Sequence, residues 1–472
     1  MIEKRKIDML GAMVAHPGER SEEAMESLEA ITECWVELLR ESVEMNEALN
    51  RFLSEEEQPD FFFPGFTRFV VLRPHFMTAP DVSTLQAASE AVLSAHAIIL
   101  DVVLGDIDLK SAHFSDFLAW TEKVLGLDQP GPIHATCLRL DGSFKDGRPV
   151  FLELNADMPQ GIGINDSFSE FLSSLPFVGE FEGKYPTRTM PVRELFLQAL
   201  LEEWVIWGSS GVPRICFVTW RDDPVRLKDM HLNAGHFASH GIDAFVADPR
   251  DLEFNGVSLA ANGKVIDLVY RVISTAETLT HPDEMEALIL AEKSGAVLSV
   301  NSFRSELLGN KTMFALLQDE DFQSLLTPGE RSAVRDFIPW TRIMRDGHDT
   351  DPAGEPIDLA AWVLDHREEL VLKPSHDFGG HGVTLGSLVS SQEWSSAMSN
   401  ALENDFIVQE KVGLGKGWYP IAEEGMPLRE MYEDIDPYIL HNRFSGCLTR
   451  LSEDEMTNIH LHGALGATFI LT

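Results

Sequence analysis

Residues 139–163 have the types and spacing needed for metal and phosphate chemistry. Two segments that alternate between apolar and polar residues flank an Asp-Gly pair at 146–147, which predicts a β-hairpin. Its predicted polar face carries Arg139, Asp141, Glu153 and Asn155. If the turn is centred on the glycine, Asp141 lies opposite Glu153, and such cross-strand neighbours are only about 5 Å apart.

This polar face combines three oxygen donors with one guanidinium. Mg²⁺ prefers oxygen ligands and usually shares them with nucleotide phosphates, and an arginine fork suits phosphate oxygens. We therefore predict that Asp141, Glu153 and Asn155 bind a metal ion beside Arg139. The alternative is an amphipathic surface hairpin without a ligand.

Two lysines later in the chain have the surroundings expected of phosphate ligands. Lys311 opens an apolar helix, where a positive charge opposes the helix dipole unless an anion binds there. Lys373 ends a predicted strand at 370–373 and precedes a glycine-rich loop, and a second predicted strand covers 382–385. Glycines allow close backbone approach and can aim N–H groups at phosphate oxygens. The loop glycines in question are Gly379, Gly380 and Gly382.

The elements that must position these groups are read from periodicity and turn residues. Helices are predicted over 21–57, 81–104, 167–175 and 191–207, with Asp166 as an N-cap. Strands are predicted over 67–73, 406–412 and 438–452. We expect Arg73 and His75 to lie in a solvated loop, with an anionic-substrate contact as the alternative.

The segment 213–273 alternates strands and a helix and predicts a small α/β unit with an open sheet. It has no glycine-rich dinucleotide motif. Arg271 ends a strand at the predicted carboxyl edge, where ligands of open sheets bind, so it is a substrate-site candidate. A surface arginine at a strand end is an equal alternative.

The R-x-D and E-x-N strands resemble the metal-binding end of ATP-grasp ligases. Their early position is similar to glutathionylspermidine synthase and to circularly permuted ATP-grasp proteins. The common order is N-K, then K-P with the glycine loop, then a hinge, then R-x-D and E-x-N. Here the last element comes first, near Arg139, and joining the end of the chain to the hairpin would restore the order. The resemblance covers roughly residues 130–472.

The resemblance implies roles for individual residues. Nucleotide contacts would come from Lys311, Lys373, Gly379, Gly380, Gly382, Gln409, Glu410, Lys411 and Val412, with the backbone of the last three on the adenine edge. Catalytic roles would fall to Arg139, Lys373 and Arg450. Weaker substrate candidates are Arg271, Arg443 and Asn458.

We expect an α/β (α+β) fold consisting of a circularly permuted ATP-grasp module, an open-sheet α/β domain that resembles the pre-ATP-grasp domain, and a helical N-terminal region. The expected parts are 1–128 (mainly helical), 129–180 (metal-binding hairpin), 190–300 (α/β domain) and 301–472 (nucleotide-binding module).

Composition excludes several classes of protein. A formal net charge of −39 argues against nucleic acid and anionic membranes as partners. We find no signal-peptide region and no apolar segment near membrane-spanning length, and therefore expect a cytoplasmic protein without a membrane partner. The four scattered cysteines indicate neither a disulfide framework nor a zinc site.

These residues together predict an ATP- and Mg²⁺-dependent ligase that joins a small-molecule or peptide carboxylate to an amine through an acyl phosphate, releasing ADP and phosphate. Three alternatives stay open. The enzyme could instead acylate a carrier-protein thiol or extend a peptide. It could be a small-molecule kinase, or a nucleotide sensor without catalytic activity.

Overall fold

The described residues of the N-terminal part of the protein are mainly helical. The computed structural model describes residues 22–42, 47, 70–105, 122–127, 133, 135–376, 382–455 and 463–472. Helix α1 (Glu22–Glu41) covers the first part of the helix predicted over 21–57. Its Trp35 is enclosed by Phe76, Phe177, Phe181 and Phe469 in edge-to-face contacts. This single indole therefore joins the N-terminal helix to distant parts of the chain.

Of the strand predicted over 67–73, the structure describes residues 70–73. These residues form only an isolated bridge, between Val71 and Ile421. The first described strand is β1 (His75–Met77), and helix α2 (Ala79–Gly105) confirms the helix predicted over 81–104.

Helix α2 corrects the expectation that no apolar segment approaches membrane-spanning length. By length and composition alone it is long and apolar enough to cross a membrane. Half of its most apolar window is buried inside the protein. Leu85, Val92 and Ile99, each seven residues apart, pack in one cluster with Phe151 and Phe314. The contacts of α2 are therefore those of a core helix. Core helices can meet the same criterion of length and apolar composition as membrane-spanning helices.

The predicted hairpin is confirmed. Strands β2 (Cys137–Lys145) and β3 (Arg148–Asn155) pair antiparallel with Asp141 opposite Glu153. Asp146 and Gly147 both have positive φ angles, 53° and 80°, as the tight type I′ hairpin turn requires. The register shifts directly after Asp141. This β-bulge bends the strand beside the polar face.

The next elements are α3 (Ile162–Ser173), α4 (Val178–Lys184), β4 (Thr187–Arg188) and α5 (Val192–Ile206). The prediction that Asp166 is an N-cap of its own helix is wrong, because α3 begins four residues earlier, at Ile162. Asp166 instead accepts the backbone N–H of Arg193 at 2.9 Å, in the first turn of α5. Burial raises the pKa of Asp166 to about 6 against the lowering effect of Arg193.

The predicted α/β unit with an open sheet is confirmed. Its elements are β5 (Ile215–Val218), α6 (Pro224–Ser239), β6 (Ala244–Ala247), β7 (Leu252–Phe254), β8 (Leu259–Ala261), β9 (Lys264–Ile266), β10 (Leu268–Arg271), α7 (Thr275–Thr280), α8 (Pro282–Ser294) and β11 (Leu298–Val300). Four parallel strands form a sheet in the order β11-β10-β5-β6. Strands β7, β8 and β9 form a separate antiparallel sheet.

The following segment combines short helices with a second four-stranded sheet. Its elements are α9 (Glu306–Gly309), α10 (Thr312–Leu317), α11 (Glu320–Gln323), α12 (Pro328–Phe337), β12 (Thr341–Ile343), β13 (His348–Thr350), β14 (Pro356–Asp358), α13 (Leu359–Asp365), β15 (Leu370–Pro374), β16 (Thr384–Leu385), α14 (Ser391–Glu403) and β17 (Phe406–Glu410). The antiparallel sheet has the order β12-β17-β15-β16.

The last strands complete the sheet that contains the early hairpin. They are β18 (Gly415–Pro420), β19 (Leu428–Leu440), β20 (Arg443–Ser452), β21 (Gly463–Gly466) and β22 (Thr468–Leu471). The sheet order is β21-β20-β19-β2-β3, and β18 also pairs with β19. Strand β22 lies between β1 and β4 in a small separate sheet. The hairpin and the end of the chain are therefore one structural unit.

The predicted single strand over 438–452 is wrong. It is the end of β19 followed by β20, with a reversal at His441 and Asn442, whose φ angles are 50° and 61°. Asparagine tolerates this conformation well, so the turn signal was present in the sequence.

Replacing Gly142 with alanine should destabilise the hairpin. A Cβ atom at Gly142 would lie 2.0 Å from the carbonyl oxygen of Val150, so the bulge cannot accept it without moving backbone. We expect a loss of about 2–4 kcal/mol in the free energy of unfolding, measured by denaturant titration.

The matched control is Gly179→Ala in α4, where no atom lies within 4 Å of the added Cβ. It should be neutral or stabilising by up to about 1 kcal/mol. Equal stability of the two variants would contradict this account of the bulge.

Candidate active site

Charged side chains from three parts of the chain meet on the polar face of the hairpin. Four carboxylates and four cations interact there: Asp141, Glu153, Asp434 and Asp436, with Arg139, Lys311, Lys373 and Arg450. Six of these eight residues were predicted from the sequence as site residues. We call this group the charge cluster.

Asp141 is the most constrained carboxylate of the charge cluster. Arg139, two residues away on the same face of β2, donates two hydrogen bonds to it at 2.7 and 2.9 Å. Arg450 donates a third at 2.8 Å. Burial alone would raise the pKa of Asp141, but the two guanidinium groups outweigh burial and lower its pKa to about 2. Asp141 is therefore ionised at any physiological pH.

Arg450 lies among three carboxylates. Its guanidinium is 2.8 Å from Asp141, 2.7 Å from Asp434 and 2.8 Å from Asp436. Burial and the neighbouring Asp141 and Asp434 hold the pKa of Asp436 well above its usual range, although Arg450 and Arg139 act in the opposite direction. Arg450 thus ties β20 to both β19 and β2.

Sequence reasoning missed Asp434 and Asp436. They stand two residues apart on β19, so both side chains point to the same face of the sheet. The spacing was visible in the sequence, but the strand was predicted to begin only at 438. Asp436 also accepts the backbone N–H of Gly142 at 3.1 Å, next to the bulge.

Lys311 contacts the second hairpin strand. Its Nζ lies 3.3 Å from Oε2 of Glu153. Burial raises the pKa of Glu153, and the lysine charge more than reverses this, so that the pKa is lowered. The Asn310 side chain accepts the backbone N–H of Thr312 at the start of α10. The backbone N–H of Lys311 donates to Ser375 at 2.7 Å, which brings Lys311 to the end of β15.

Lys373 reaches the charge cluster from β15. Its Nζ donates to Oε1 of Gln409 at 2.7 Å and to the carbonyl oxygen of Leu152 at 3.3 Å. Burial lowers the pKa of Lys373 to about 8, with Glu153 acting in the opposite direction. The predicted nucleotide contact Gln409 is itself buried and binds Thr341 at 3.1 Å through its amide nitrogen.

One buried asparagine binds the backbone at both ends of the hairpin. The Asn301 side chain accepts the backbone N–H of Cys137 at 2.9 Å and donates to the carbonyl oxygens of Cys137 and Ala156. Ser305 donates to Ala156 as well, at 2.7 Å. The start of β2 and the end of β3 are thus joined to the segment that leads to Lys311.

In the segment predicted to contact adenine, residues 410–412, two backbone N–H groups are already hydrogen-bonded within the protein. The N–H of Glu410 donates to Trp340 at 2.8 Å, and the N–H of Lys411 donates to Glu369 at 2.7 Å. The side chain of Lys411 pairs with Glu455 at 2.9 Å. An adenine bound here would have to form its hydrogen bonds with backbone carbonyl groups or with the backbone of Val412.

Of the predicted phosphate-binding glycines, only Gly382 lies within the described residues. It has a φ of 71°, and a Cβ there would lie 2.6 Å from Pro374, so the turn requires glycine. Gly379 and Gly380 lie outside the described residues, as does the substrate candidate Asn458. Strand β16 begins at Thr384, two residues later than predicted.

Two further substrate candidates are not brought into the charge cluster. Arg271 has 0% side-chain exposure, binds Asp157 at 2.6 Å and stacks on Phe303. Its guanidinium links the parallel sheet to the loop after β3, and a substrate contact of Arg271 stays a prediction. Arg443 lies at the far end of β20 and pairs with Glu202 on the surface.

Arg73 and His75 are not solvated, which corrects the expectation for this loop. Both are buried, and His75 Nδ1 lies 3.3 Å from Glu433. Tyr419 donates to the same carboxylate at 2.6 Å, and Arg73 stacks on the Tyr419 ring. Burial raises the pKa of Glu433, but His75 and Arg73 outweigh it and lower the pKa to about 2.

The donor atoms of the charge cluster suit a hard cation. Carboxylate oxygens of Asp141, Glu153 and Asp434 are ligands that Mg²⁺ prefers over nitrogen or sulfur. Asn155 lies outside the charge cluster as defined, but it pairs with Arg139 across the hairpin and adds an amide oxygen. Glu153 has only Lys311 as a described ion-pair partner, so it is the carboxylate best able to exchange its partner for a metal ion.

Comparisons with known proteins find similarity in structure but none in sequence. No family model and no curated protein matches the sequence. A glutathione synthetase-like effector from Globodera pallida, in its apo form, superposes with a TM-score of 0.58 at 12% identity, covering 90% of this chain and 96% of that one. The predicted mixed α/β fold class is confirmed, and the likeness in fold to this glutathione synthetase-like protein extends over most of the chain.

A putative γ-glutamylcysteine synthetase from Methylobacillus flagellatus also matches, with a TM-score of 0.39 at 10% identity, covering 84% of this chain and 89% of that one. D-alanyl-alanine synthetase A from Vibrio cholerae has a TM-score of 0.25 at 12% identity, covering 48% of this chain and 68% of that one.

Removing Arg450 should destabilise the protein strongly at neutral pH. Arg450→Met leaves three buried carboxylates without their shared cation, and breaking such a buried pair costs about 3–5 kcal/mol. The loss should shrink in acid, where the carboxylates accept protons. Denaturant unfolding at several pH values measures it.

The control is Arg443→Met on the same strand, whose side chain is 61% exposed. It should change stability by no more than about 0.5 kcal/mol. A similar effect of both substitutions would show that Arg450 does not tie the strands together.

Proposed function

We propose that this protein is an ATP-dependent ligase that joins a carboxylate to an amine. The observation that carries the proposal is the meeting of Glu153, Lys311 and Lys373, from sequence segments far apart, in one buried group of charges. The fold likeness to a glutathione synthetase-like protein supports it.

The lysines and carboxylates are arranged for an exchange of partners. Without nucleotide, Lys311 pairs with Glu153, and Lys373 interacts with the same carboxylate. With a metal-bound triphosphate present, Lys311 and Lys373 would pair with phosphate oxygens, and Glu153 would become available as a metal ligand. The two lysine charges would balance the two net negative charges of a magnesium-bound triphosphate, so the nucleotide would not enter as an uncompensated buried charge.

Mg²⁺ held by Glu153, Asn155 and Asp141 would neutralise charge on the phosphates when it is bound. The protein's own part is to fix the geometry. Arg139 and Arg450 hold Asp141 in one orientation, and Gln409 orients Lys373. Phosphoryl transfer depends mainly on such positioning and charge neutralisation.

The proposed reaction has two steps. A carboxylate oxygen of the substrate attacks the terminal phosphorus of ATP, which forms an acyl phosphate and releases ADP. The amine then attacks the acyl carbon, loses a proton and displaces phosphate, leaving an amide. The acid is a small molecule or a peptide, and the acceptor is an amine, with a carrier-protein thiol as the alternative acceptor.

We further propose that the ATP-grasp module is circularly permuted, as in glutathionylspermidine synthase. The support is the pairing of β2 with β19, which puts the early hairpin beside strands from the end of the chain. In this arrangement R-x-D and E-x-N come before the N-K and K-P elements in sequence, although Lys311 and Lys373 lie beside them in space.

Glu153→Ala and Lys373→Ala should each abolish substrate-dependent ADP release. Loss of one charge-stabilising group costs about 10²–10³-fold in rate in comparable sites. The assay measures ADP with ATP, Mg²⁺ and mixtures of carboxylates with amines, peptides or carrier thiols. Formation of an amide product by mass spectrometry separates ligation from kinase activity.

The control is Lys416→Ala, which removes an exposed lysine paired with Glu430 on the surface. It should retain full activity. Unchanged ADP release in both Glu153→Ala and Lys373→Ala would refute the proposed function.

Activity at limiting ATP should fall as the pH rises through about 8. Lys373 is protonated below its pKa of about 8 and neutral above it, so its phosphate contact weakens in alkaline solution. The pH profile of kcat/KM for ATP reports this group in the free enzyme. In Lys373→Arg the charge is permanent, and the alkaline fall should move to higher pH. An identical profile in this variant would exclude Lys373 as its origin.

A further inference from the structure

A second group of potential ligands lies on two neighbouring helices, away from the charge cluster. It consists of Glu194 on α5 and of His236 and His240, which are four residues apart at the end of α6. Oε2 of Glu194 is 3.5 Å from Nε2 of His236 and 3.3 Å from Nε2 of His240. The three ligand atoms lie within 4.8 Å of one another.

Neighbouring groups orient these side chains toward a common point. Gln198 donates to the other carboxylate oxygen of Glu194 at 2.9 Å. Nδ1 of His240 lies 2.9 Å from the carbonyl oxygen of His236, which can only accept, so Nδ1 carries the hydrogen. In neutral His240 the lone pair of Nε2 therefore faces the carboxylate. Such outer hydrogen bonds fix the tautomer and orientation of histidine ligands in metal sites.

Two of the converging atoms are buried and make no hydrogen bond of good geometry among the described residues. They are Oε2 of Glu194 and Nε2 of His236. Buried polar atoms are normally satisfied, so two unsatisfied atoms aimed at one point require an explanation. A cation between them would supply it.

We propose that Glu194, His236 and His240 bind a divalent transition-metal ion of the Zn²⁺ class. In a tetrahedral site with metal–ligand bonds of about 2.0–2.1 Å, ligand atoms are about 3.3 Å apart. The two separations from Glu194, 3.3 and 3.5 Å, fit this geometry. His240 is exposed, and Glu194 and His236 are half-buried.

The competing interpretation is a simple ion pair between the carboxylate and protonated histidines. Arg193 lies beside the group, and its positive charge opposes a second cation there. That charge is already balanced, because the Arg193 guanidinium pairs with Asp166 and Glu170.

A metal ion in this position would connect α5 and α6. Asp229 of α6 accepts the backbone N–H groups of Gly161 and Ile164, at the start of α3 just after the hairpin. The ion should therefore raise the thermal unfolding midpoint of the protein. This inference does not depend on the proposed ligase activity.

Co²⁺ titration of untagged, metal-free full-length protein, in excess Mg²⁺, tests the proposal. We expect one equivalent to give the intense visible absorption of tetrahedral Co²⁺, which Zn²⁺ displaces. His236→Ala and His240→Ala should each weaken binding by more than about 100-fold. Gln198→Ala should weaken it by about tenfold, as loss of an orienting partner does.

The matched control is His231→Ala, which removes an exposed histidine from the same helix. It should bind Co²⁺ as the unaltered protein does, and so should Glu153→Ala. Circular dichroism establishes that each variant is folded. Absence of the tetrahedral band, or its persistence in folded His240→Ala, would overturn the proposal.

Discussion

The contact of Arg450 with three carboxylates is the interaction on which the site depends. Two of these acids belong to β19 and the third, Asp141, to β2. Because β2 and β19 are adjacent in the sheet, this guanidinium joins the early hairpin to the end of the chain. The same guanidinium holds the side chain of Asp141, which lies opposite Glu153 in the hairpin. One electrostatic contact therefore supports both the sheet and the geometry of the site.

Under the proposed function, a protein with a formal net charge of −39 has to concentrate its few cations around an anionic nucleotide. It does so by burying Lys311 and Lys373 next to carboxylates. The lowered pKa of Lys373 shows that burial has a cost even in these acidic surroundings. Binding energy from a metal-bound triphosphate would offset this cost. The balance between buried acids and buried cations explains why the charge cluster can be stable without a ligand and still accept one.

Local signals predicted the hairpin, its register, the α/β unit with its open sheet and the strand that carries Lys373, since each has its own periodicity and turn residues. Contacts between distant parts of the chain could not be predicted from such local signals. Asp434 and Asp436 matter only because Arg450 and β2 lie beside them, and no local pattern indicates that pairing. Burial could not be predicted for Arg271 either. Its position at a strand end suggested a substrate contact, but in the structure Asp157 and Phe303 enclose its side chain.

The central claim is that one metal-bound triphosphate lies between the early hairpin and the strands bearing Lys311 and Lys373. A crystal structure with Mg²⁺ and a non-hydrolysable ATP analogue tests it most directly. The account predicts metal density within bonding distance of Glu153, with both lysines turned from carboxylate to phosphate oxygens. A nucleotide bound elsewhere, with the Lys311–Glu153 pair intact, would contradict it.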